Sequence, residues 1–277
     1  MNRFQLIALD IDGTLLDSRK NLPDACVRAI QEVTDAGKTV AFATGRALSE
    51  ILEFEPLLPE IRYAVFSSGA GIYDFTEKKM VALTELVSET AATILDSVRG
   101  KDVMPQIVLP GIDVIQKSHM QNLDHYHMGV YRQLYEHAMT LVPDIFDFFR
   151  LNKEPVLKIN LYHADPDERR STLEALHRLD IETVYSEISS IECSPRGVHK
   201  GSGLLNLCRF LGIDKAECIA VGDAENDISM IQAAGLGVAM GNANSRVKAA
   251  AQLVVSDNDH GGCAQAIRLL CEREAFA

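Results

Sequence analysis

The feature that most constrains this chain is a short apolar run ending on two acids. Leu6-Ile7-Ala8-Leu9 precedes Asp10-Ile11-Asp12-Gly13-Thr14 near the N-terminus. Four apolar residues are too few for a core helix, and branched Ile7 beside leucines suits a strand buried on both faces. Alternate strand residues point to the same side. Asp10 and Asp12 can therefore face one mouth at the strand's carboxyl edge, where open parallel sheets place their chemistry. Two such charges about 4 Å apart repel by roughly 4 kcal/mol at an effective dielectric of 20. The pattern calls for a cation or for a protonated acid. An ordinary strand followed by an Asp-Gly turn has the same letters, so the stretch needs support from elsewhere.

The 277 residues suffice for one large domain or two of ordinary size. With 47% hydrophobic and 24% charged residues the chain is globular in composition, and it has no low-complexity tract. No apolar run reaches membrane-span length, and residues 1–9 lack the basic start and cleavage site of a signal peptide. Cys26, Cys193, Cys208, Cys218, Cys263 and Cys271 are scattered, mostly inside apolar runs and without C-x-x-C spacing. They read as reduced core residues of a cytoplasmic protein, not as zinc ligands or a disulfide frame. A formal net charge of −12 argues against nonspecific nucleic-acid binding. A small anionic substrate stays compatible, because only the local field at the site matters. No segment specifies an oligomeric state.

Further along, Asn21-Leu22-Pro23-Asp24 opens a helix, with Asn21 or Asp24 as cap and Gly37 as its stop. Lys38–Ala43 reads as a second strand ending on Thr44-Gly45-Arg46. A hydroxyl, a glycine that lets backbone approach and a guanidinium suit a phosphate, although a plain Thr/Gly turn fits as well. A helix over Leu48–Leu58 and a strand at Tyr63–Phe66 follow, then the turn Ser67-Ser68-Gly69-Ala70-Gly71 and a small hairpin.

From about Leu83 the pattern changes to helices and antiparallel hairpins. Ser88–Val98 is helical, Gln106–Leu109 pairs with Asp113–Gln116, and Asn122–Leu141 is a helical region. Val156–Tyr162 alternates like a strand, Asp167–Leu179 is a helix, and Thr183–Ser186 pairs with Ser190–Cys193. His119, His125 and His127 lie in a polar stretch with no helical i, i+4 pair, and read as surface or loop histidines before metal ligands. The βα alternation resumes with helix Gly203–Leu211 and strand Glu217–Val221, which ends in Gly222-Asp223-Ala224-Glu225-Asn226-Asp227. Strand Leu236–Met240, strand Gln252–Val255 and a last helix over Ala264–Glu272 complete the chain. The expected fold is α/β: a doubly wound, mostly parallel Rossmann-like sheet from 1–84 and 193–277, interrupted by an α+β cap at 85–192.

Four strand ends carry polar groups: Asp10 with Asp12, Thr44, the Lys200 region, and Asp223 with Asn226 and Asp227. At this point the chain resembles the haloacid dehalogenase superfamily, in particular its Cof-type phosphatases with a large α/β cap. Leu9-Asp10-Ile11-Asp12-Gly13-Thr14-Leu15-Leu16 fits the first motif of that family, Ala43-Thr44-Gly45-Arg46 the second and Lys200-Gly201 the third. Gly222-Asp223-x-x-Asn226-Asp227-x-x-Met230 fits the fourth. The resemblance runs the whole chain.

The resemblance implies that Asp10 attacks phosphorus to give an aspartyl-phosphate, and that Asp12 protonates the leaving oxygen and then activates water. It implies Mg²⁺ held by Asp10, the backbone carbonyl of Asp12 and Asp223, with Asn226 supporting or completing the shell. Asp227 orients that shell or pairs with Lys200. Thr44, the Gly45 N–H and Lys200 bind phosphoryl oxygens. Arg46 joins them or makes a salt bridge on the following helix. The activity implied is Mg²⁺-dependent hydrolysis of a small phosphorylated metabolite, such as a sugar phosphate; separately, the insert's position between Thr44 and Lys200 predicts that it folds over the mouth.

Two departures stand out: Ser68-Gly69-Ala70 where many relatives carry Asn-Gly-Ala, and Asp259-His260-Gly261-Gly262 where Asp-Gly-Val is usual. Neither touches the four motifs. A phosphomutase would use the same intermediate and withhold water. A phospho-accepting receiver module would combine similar residues around Mg²⁺ in a much shorter chain without an insert. A dehalogenase would not need an acid at Asp12.

Overall fold

A computed structural model describes residues 4–185 and 188–271. Ser186 and Glu272, each the expected end of an element, lie outside them. The chain forms two compact units: one runs to Gly45, resumes at Glu53–Ala82 and returns from His199, the other comprises Arg46–Leu52 and Leu83–Val198.

In chain order the strands are β1 (Leu6–Leu9), β2 (Thr39–Ala43), β3 (Tyr63–Phe66), β4 (Gly71–Asp74) and β5 (Lys79–Leu83). Then come β6 (Val103–Val108), β7 (Asp113–Gln116), β8 (Met139–Val142), β9 (Lys158–His163), β10 (Ile181–Val184) and β11 (Ser190–Pro195). The chain closes with β12 (Cys218–Gly222), β13 (Leu236–Ala239) and β14 (Leu253–Val254).

The first sheet has the order β14-β13-β12-β1-β2-β3-β4-β5. β14 through β3 are parallel, and β4 turns back antiparallel to β3. β1 leads to β2 and β3 on one side, whereas the returning chain lays β12, β13 and β14 on the other. The gap between β1 and β12 is thus the switch point, the place where doubly wound sheets bind ligands. Every residue of β1 and β12 is buried, as strands covered on both faces require.

Helix Lys200–Leu211 packs Leu204 and Leu207 onto Leu6, Ala8, Ala41 and Val65. Burying each leucine stabilises by about 1.5–3 kcal/mol. The approach is close because Gly203 has no side chain: a Cβ there would lie 2.4 Å from Val65 Cγ1. Gly203→Ala would lift this helix, and Lys200 at its start would move with it.

The second unit is a six-stranded sheet, β10-β11-β9-β6-β7-β8, antiparallel except for β7 with β8. Alternation sorts its faces. Ile107, Val114, Ile159, Leu161, Ile191 and Cys193 meet Ala91, Ile94 and Ile145 in an apolar cluster. Gln106, Asp113, Lys158, Asn160 and Glu192 stand at the intervening positions, and they are buried too.

Several expectations change. The helix expected over Leu48–Leu58 is only Leu48–Ile51 followed by a tight turn at Leu52–Phe54. The helical stretch expected to Leu141 ends at Ala138, because Met139–Val142 finds a parallel partner in β7 and pairing overrides local propensity. A further helix, Ile145–Leu151, is capped by the Asp144 carboxylate, which accepts from the Phe146 and Asp147 N–H groups at 2.8 Å. A boundary at 192 would cut β11, and Arg46–Leu52 clusters with the second unit. Cys271 is exposed, unlike the other five cysteines. Among the described residues no helix is long and apolar enough to cross a membrane.

Candidate active site

The register of β1 with β12 pairs Leu9 with Val221, and the Asp10 N–H donates to the Val221 carbonyl at 3.0 Å. Asp10 therefore emerges beside Gly222 and Asp223. The chain then makes a wide turn over Ile11–Leu15, closed by Leu15 N–H to Asp10 O (3.3 Å) and Leu16 N–H to Ile11 O (3.0 Å). Gly13 sits in this turn at φ +82°, and a Cβ on it would meet Asp223 Oδ2 at 2.4 Å. Only glycine satisfies both demands. Buried Thr14 donates its hydroxyl to Asp223 Oδ1 at 2.9 Å.

Lys200 is 1% exposed and donates to Asp10 Oδ1 and Asp227 Oδ1, both at 2.6 Å. The other Asp227 oxygen accepts the N–H groups of Asp223 and Ala224 at 2.9 Å each. Both oxygens of Asp227 are thus engaged within the fold. Its packing requires Gly222, where a Cβ would lie 2.4 Å from the Asp227 Cβ. Lys200 is held at its helix start by the cap: His199 Nδ1 accepts from the Ser202 N–H at 3.1 Å. The preceding Ser67-Ser68-Gly69 turn abuts this start, since a Cβ on Gly69 (φ +101°) would lie 2.3 Å from the His199 carbonyl oxygen. Ser68 belongs to that turn, at φ +56°.

Asp10, Asp223 and Asp227 each offer a carboxylate oxygen, all within 4.8 Å of one another. Three acids thus face one ammonium. Burial, then the charge of Asp227, push the Asp10 carboxyl well above the usual carboxylate range against the pull of Lys200. The same two causes push Asp223 up to about 7. Burial alone would lower the Lys200 ammonium, but Asp10 and Asp227 outweigh it and raise it. A cluster with this balance takes up either protons or a cation. The donor set fits a hard divalent cation, because it is all oxygen and because the Asn226 Oδ1 is buried without a hydrogen-bond partner.

The remaining expected residues fall as follows. Thr44, 1% exposed, follows β2, whose register pairs Phe42 with Leu9, so it leaves the same sheet edge as Asp10. Its N–H donates to Val65 O and its carbonyl accepts from Ser68 N–H, which tie the ends of β2 and β3 together. Gly45 follows at the unit's boundary. Asp12 forms an ion pair through Oδ1 with Lys20 Nζ at 2.8 Å. Arg46 donates to the Glu50 carbonyl at 3.3 Å, within the second unit's segment. In that unit His125 pairs with Asp102 at 2.7 Å, His127 Nε2 meets the Ala164 carbonyl, and His119 lies edge-on to Tyr126. Among the described residues they form no metal-capable group.

Thr14, Lys20, Asn242, Asn258 and Asp259 were not evident as site residues from sequence. Thr14 was in plain view inside the first motif. In the Asp259-His260-Gly261-Gly262 stretch, Asp259 Oδ1 accepts the Ser18 N–H at 2.9 Å, just past the Ile11–Leu15 turn. Gly262 is needed where it stands, since a Cβ there would lie 1.8 Å from the Ser256 carbonyl oxygen.

A doubly wound α/β hydrolase with acids gathered at its switch point is the class that fold and site define. The chain belongs to the haloacid dehalogenase-like hydrolase family, whose model matches residues 7–267. It is 31% identical to pyridoxal phosphate phosphatase YbhA of Escherichia coli (strain K12), over 95% of this chain and 97% of that protein. It is 27% identical to 5-amino-6-(5-phospho-D-ribitylamino)uracil phosphatase YwtE of Bacillus subtilis (strain 168), over 93% and 95%. A solved haloacid dehalogenase-like hydrolase from Bacteroides thetaiotaomicron superposes with a TM-score of 0.83 at 28% identity, covering 96% of this chain and 98% of that one.

Proposed function

We propose that the chain hydrolyses small phosphorylated metabolites in the cytoplasm through an aspartyl-phosphate on Asp10. The observation that carries this reading is the Lys200 bridge between Asp10 and Asp227 beside Asp223. It leaves one Asp10 oxygen unbridged by lysine at the switch point, in a chain whose two relatives named above are phosphatases.

The Asp10 oxygen attacks phosphorus, and the bond from phosphorus to the ester oxygen breaks. Asp12, as the acid, gives its proton to that oxygen. In the second half Asp12, now a carboxylate, takes a proton from water; the water oxygen bonds to phosphorus and the Asp10–phosphorus bond breaks, which releases phosphate. Two of the three Lys200 N–H groups are used by Asp10 and Asp227, so the third is free for a phosphoryl oxygen. Thr44 and the Gly45 N–H supply further donors, and Arg46 is assigned as an auxiliary one.

Asp10, the Asp12 carbonyl, Asp223 and Asn226 are the residues that would hold Mg²⁺, while Asp227 is committed to Lys200 and the backbone. When bound, the ion supplies charge screening between an anionic nucleophile and an anionic phosphoryl group. The test is phosphate release from a panel of phosphorylated metabolites that includes pyridoxal 5′-phosphate and sugar phosphates, with and without EDTA. Turnover of one or more, abolished by EDTA and restored by Mg²⁺, is expected. Turnover that persists in metal-free buffer overturns the cation, and an isomerised sugar phosphate without free phosphate makes the chain a mutase.

A further inference from the structure

We infer that Asn242 is a positioning residue that aims the Asp223 carboxylate at the cation and ties it to the nucleophile turn. The inference rests on the Mg²⁺ reading above. The Asn242 amide nitrogen donates to the Gly13 carbonyl at 2.8 Å and to Asp223 Oδ2 at 3.3 Å. Its two hydrogens thus reach two different segments of the site. Its Oδ1 accepts the Asn258 N–H at 3.2 Å, and the Asn258 amide in turn donates to the Leu16 carbonyl at 2.9 Å. With Asp259 on the Ser18 N–H, three side chains from the far side of the sheet grip the turn at Gly13, Leu16 and Ser18.

The effect on Asp223 is directional. Thr14 donates to Oδ1 and Asn242 to Oδ2, so both oxygens are held and the carboxylate plane cannot rotate without losing a donor. The lone pairs left over are those available beside Asp10 and Asp227, the other members of the acidic group. Asn242 is itself held in place. Its neighbour Gly241 donates to the Ser256 carbonyl at 3.1 Å, and a Cβ on Gly241 would lie 2.6 Å from the Asp257 N. Lys248 Nζ caps the Gly241 carbonyl at 2.6 Å. A short amide on a rigid turn is what a ligand-orienting residue requires.

Titrating the full-length protein with Mn²⁺ in the absence of substrate, by calorimetry, tests this without reliance on turnover. Asn242→Asp keeps an acceptor for the Asn258 N–H but donates to neither Gly13 nor Asp223, and Asn242→Ala removes all three bonds. Asn242→Ala should bind Mn²⁺ about tenfold more weakly, the usual size of a lost ligand-orienting bond, whereas the charge that Asn242→Asp adds beside Asp223 offsets part of that loss. Both metal-free variants should melt below the parent, since the bonds to Gly13 and Asp223 are lost; a purely structural role predicts that drop with Mn²⁺ affinity unchanged in the folded protein. Undiminished Mn²⁺ affinity in a folded Asn242→Ala protein overturns the inference and leaves the phosphatase reading standing. A parent chain that binds no Mn²⁺ and yet releases phosphate removes the cation reading, and this inference falls with it.

Discussion

Two buried lysines, one in each unit, sit in similar company and do different things. Lys200 and Lys158 are both 1% exposed. Lys200 faces Asp10, Asp223 and Asp227; Lys158 pairs with Glu192 at 3.2 Å, with Asp113 and Glu50 in the same electrostatic neighbourhood. In both places burial pushes an aspartate up, Asp10 in one and Asp113 in the other. Composition therefore does not single out the cluster proposed to be reactive from the one in the second unit. Convergence does. The carboxylates around Lys200 present oxygens within 4.8 Å at the end of two parallel strands, whereas Asp113, Lys158 and Glu192 are spread along three different strands of a continuous sheet. Among the described residues no metal-capable group includes them. A sheet interior spaces its charges, and a strand switch point gathers them.

The strongest way to break this comparison is to remove Asp10, the proposed nucleophile. Asp10→Asn should lower phosphate release to background and yield no phospho-protein after acid quench with any substrate. A phospho-protein trapped in that variant would move the nucleophile elsewhere. Asp12→Asn should cost roughly 10²–10⁴-fold in rate, the usual general acid–base contribution, with substrate binding kept. A variant within a factor of a few of the parent would take the proton-transfer role away from Asp12.

The two lysines sharpen it further. Lys200→Met should lower kcat/KM by about 10²–10³, as loss of a fixed charge-stabilising donor does. Lys158→Met should instead destabilise by about 3–5 kcal/mol, because it removes the cation paired with buried Glu192, and this is measured as a shift of the urea unfolding midpoint. Per folded molecule, its turnover of p-nitrophenyl phosphate should match the parent. Exchange of the two phenotypes would show that the second unit's cluster carries chemistry.

The smallest effect concerns pH. His163 is buried and spans the Ser189 carbonyl and Thr172 Oγ1, both at 3.0 Å. Burial lowers its proton affinity in the fold. Its neutral form is the folded one, so its contribution is fully present above about pH 6.5 and is lost as pH falls below that value, where the unfolded chain gains the proton. Urea midpoints at pH 7.5 and 5.5 should differ more in the parent than in His163→Gln. An unaltered difference would assign the acid sensitivity to other groups.

Much of this was legible in the sequence, and the physical reason is local. A buried strand that ends on Asp10 and Asp12, and another that ends on Gly222-Asp223, follow from runs of apolar residues and the period-two alternation of side chains. So does the interrupted βα pattern that makes one sheet from two distant stretches. Propensity failed where pairing overrode it, as at Met139–Val142, and where Arg46–Leu52 joined the unit to which its neighbours in sequence do not belong.

What only the tertiary structure decided is how the acids are divided in labour. Asp223, Asp227 and Asn226 lie in one short motif, and nothing in their order says that Asp227 spends both oxygens on Lys200 and two backbone N–H groups while the Asn226 oxygen stays without a partner. Nor does it say that Asn242, 229 residues after Gly13, donates to the Gly13 carbonyl and shares its amide with Asp223. Hydrogen bonds depend on direction as well as distance, and over such separations direction is set by the packing of strands and turns.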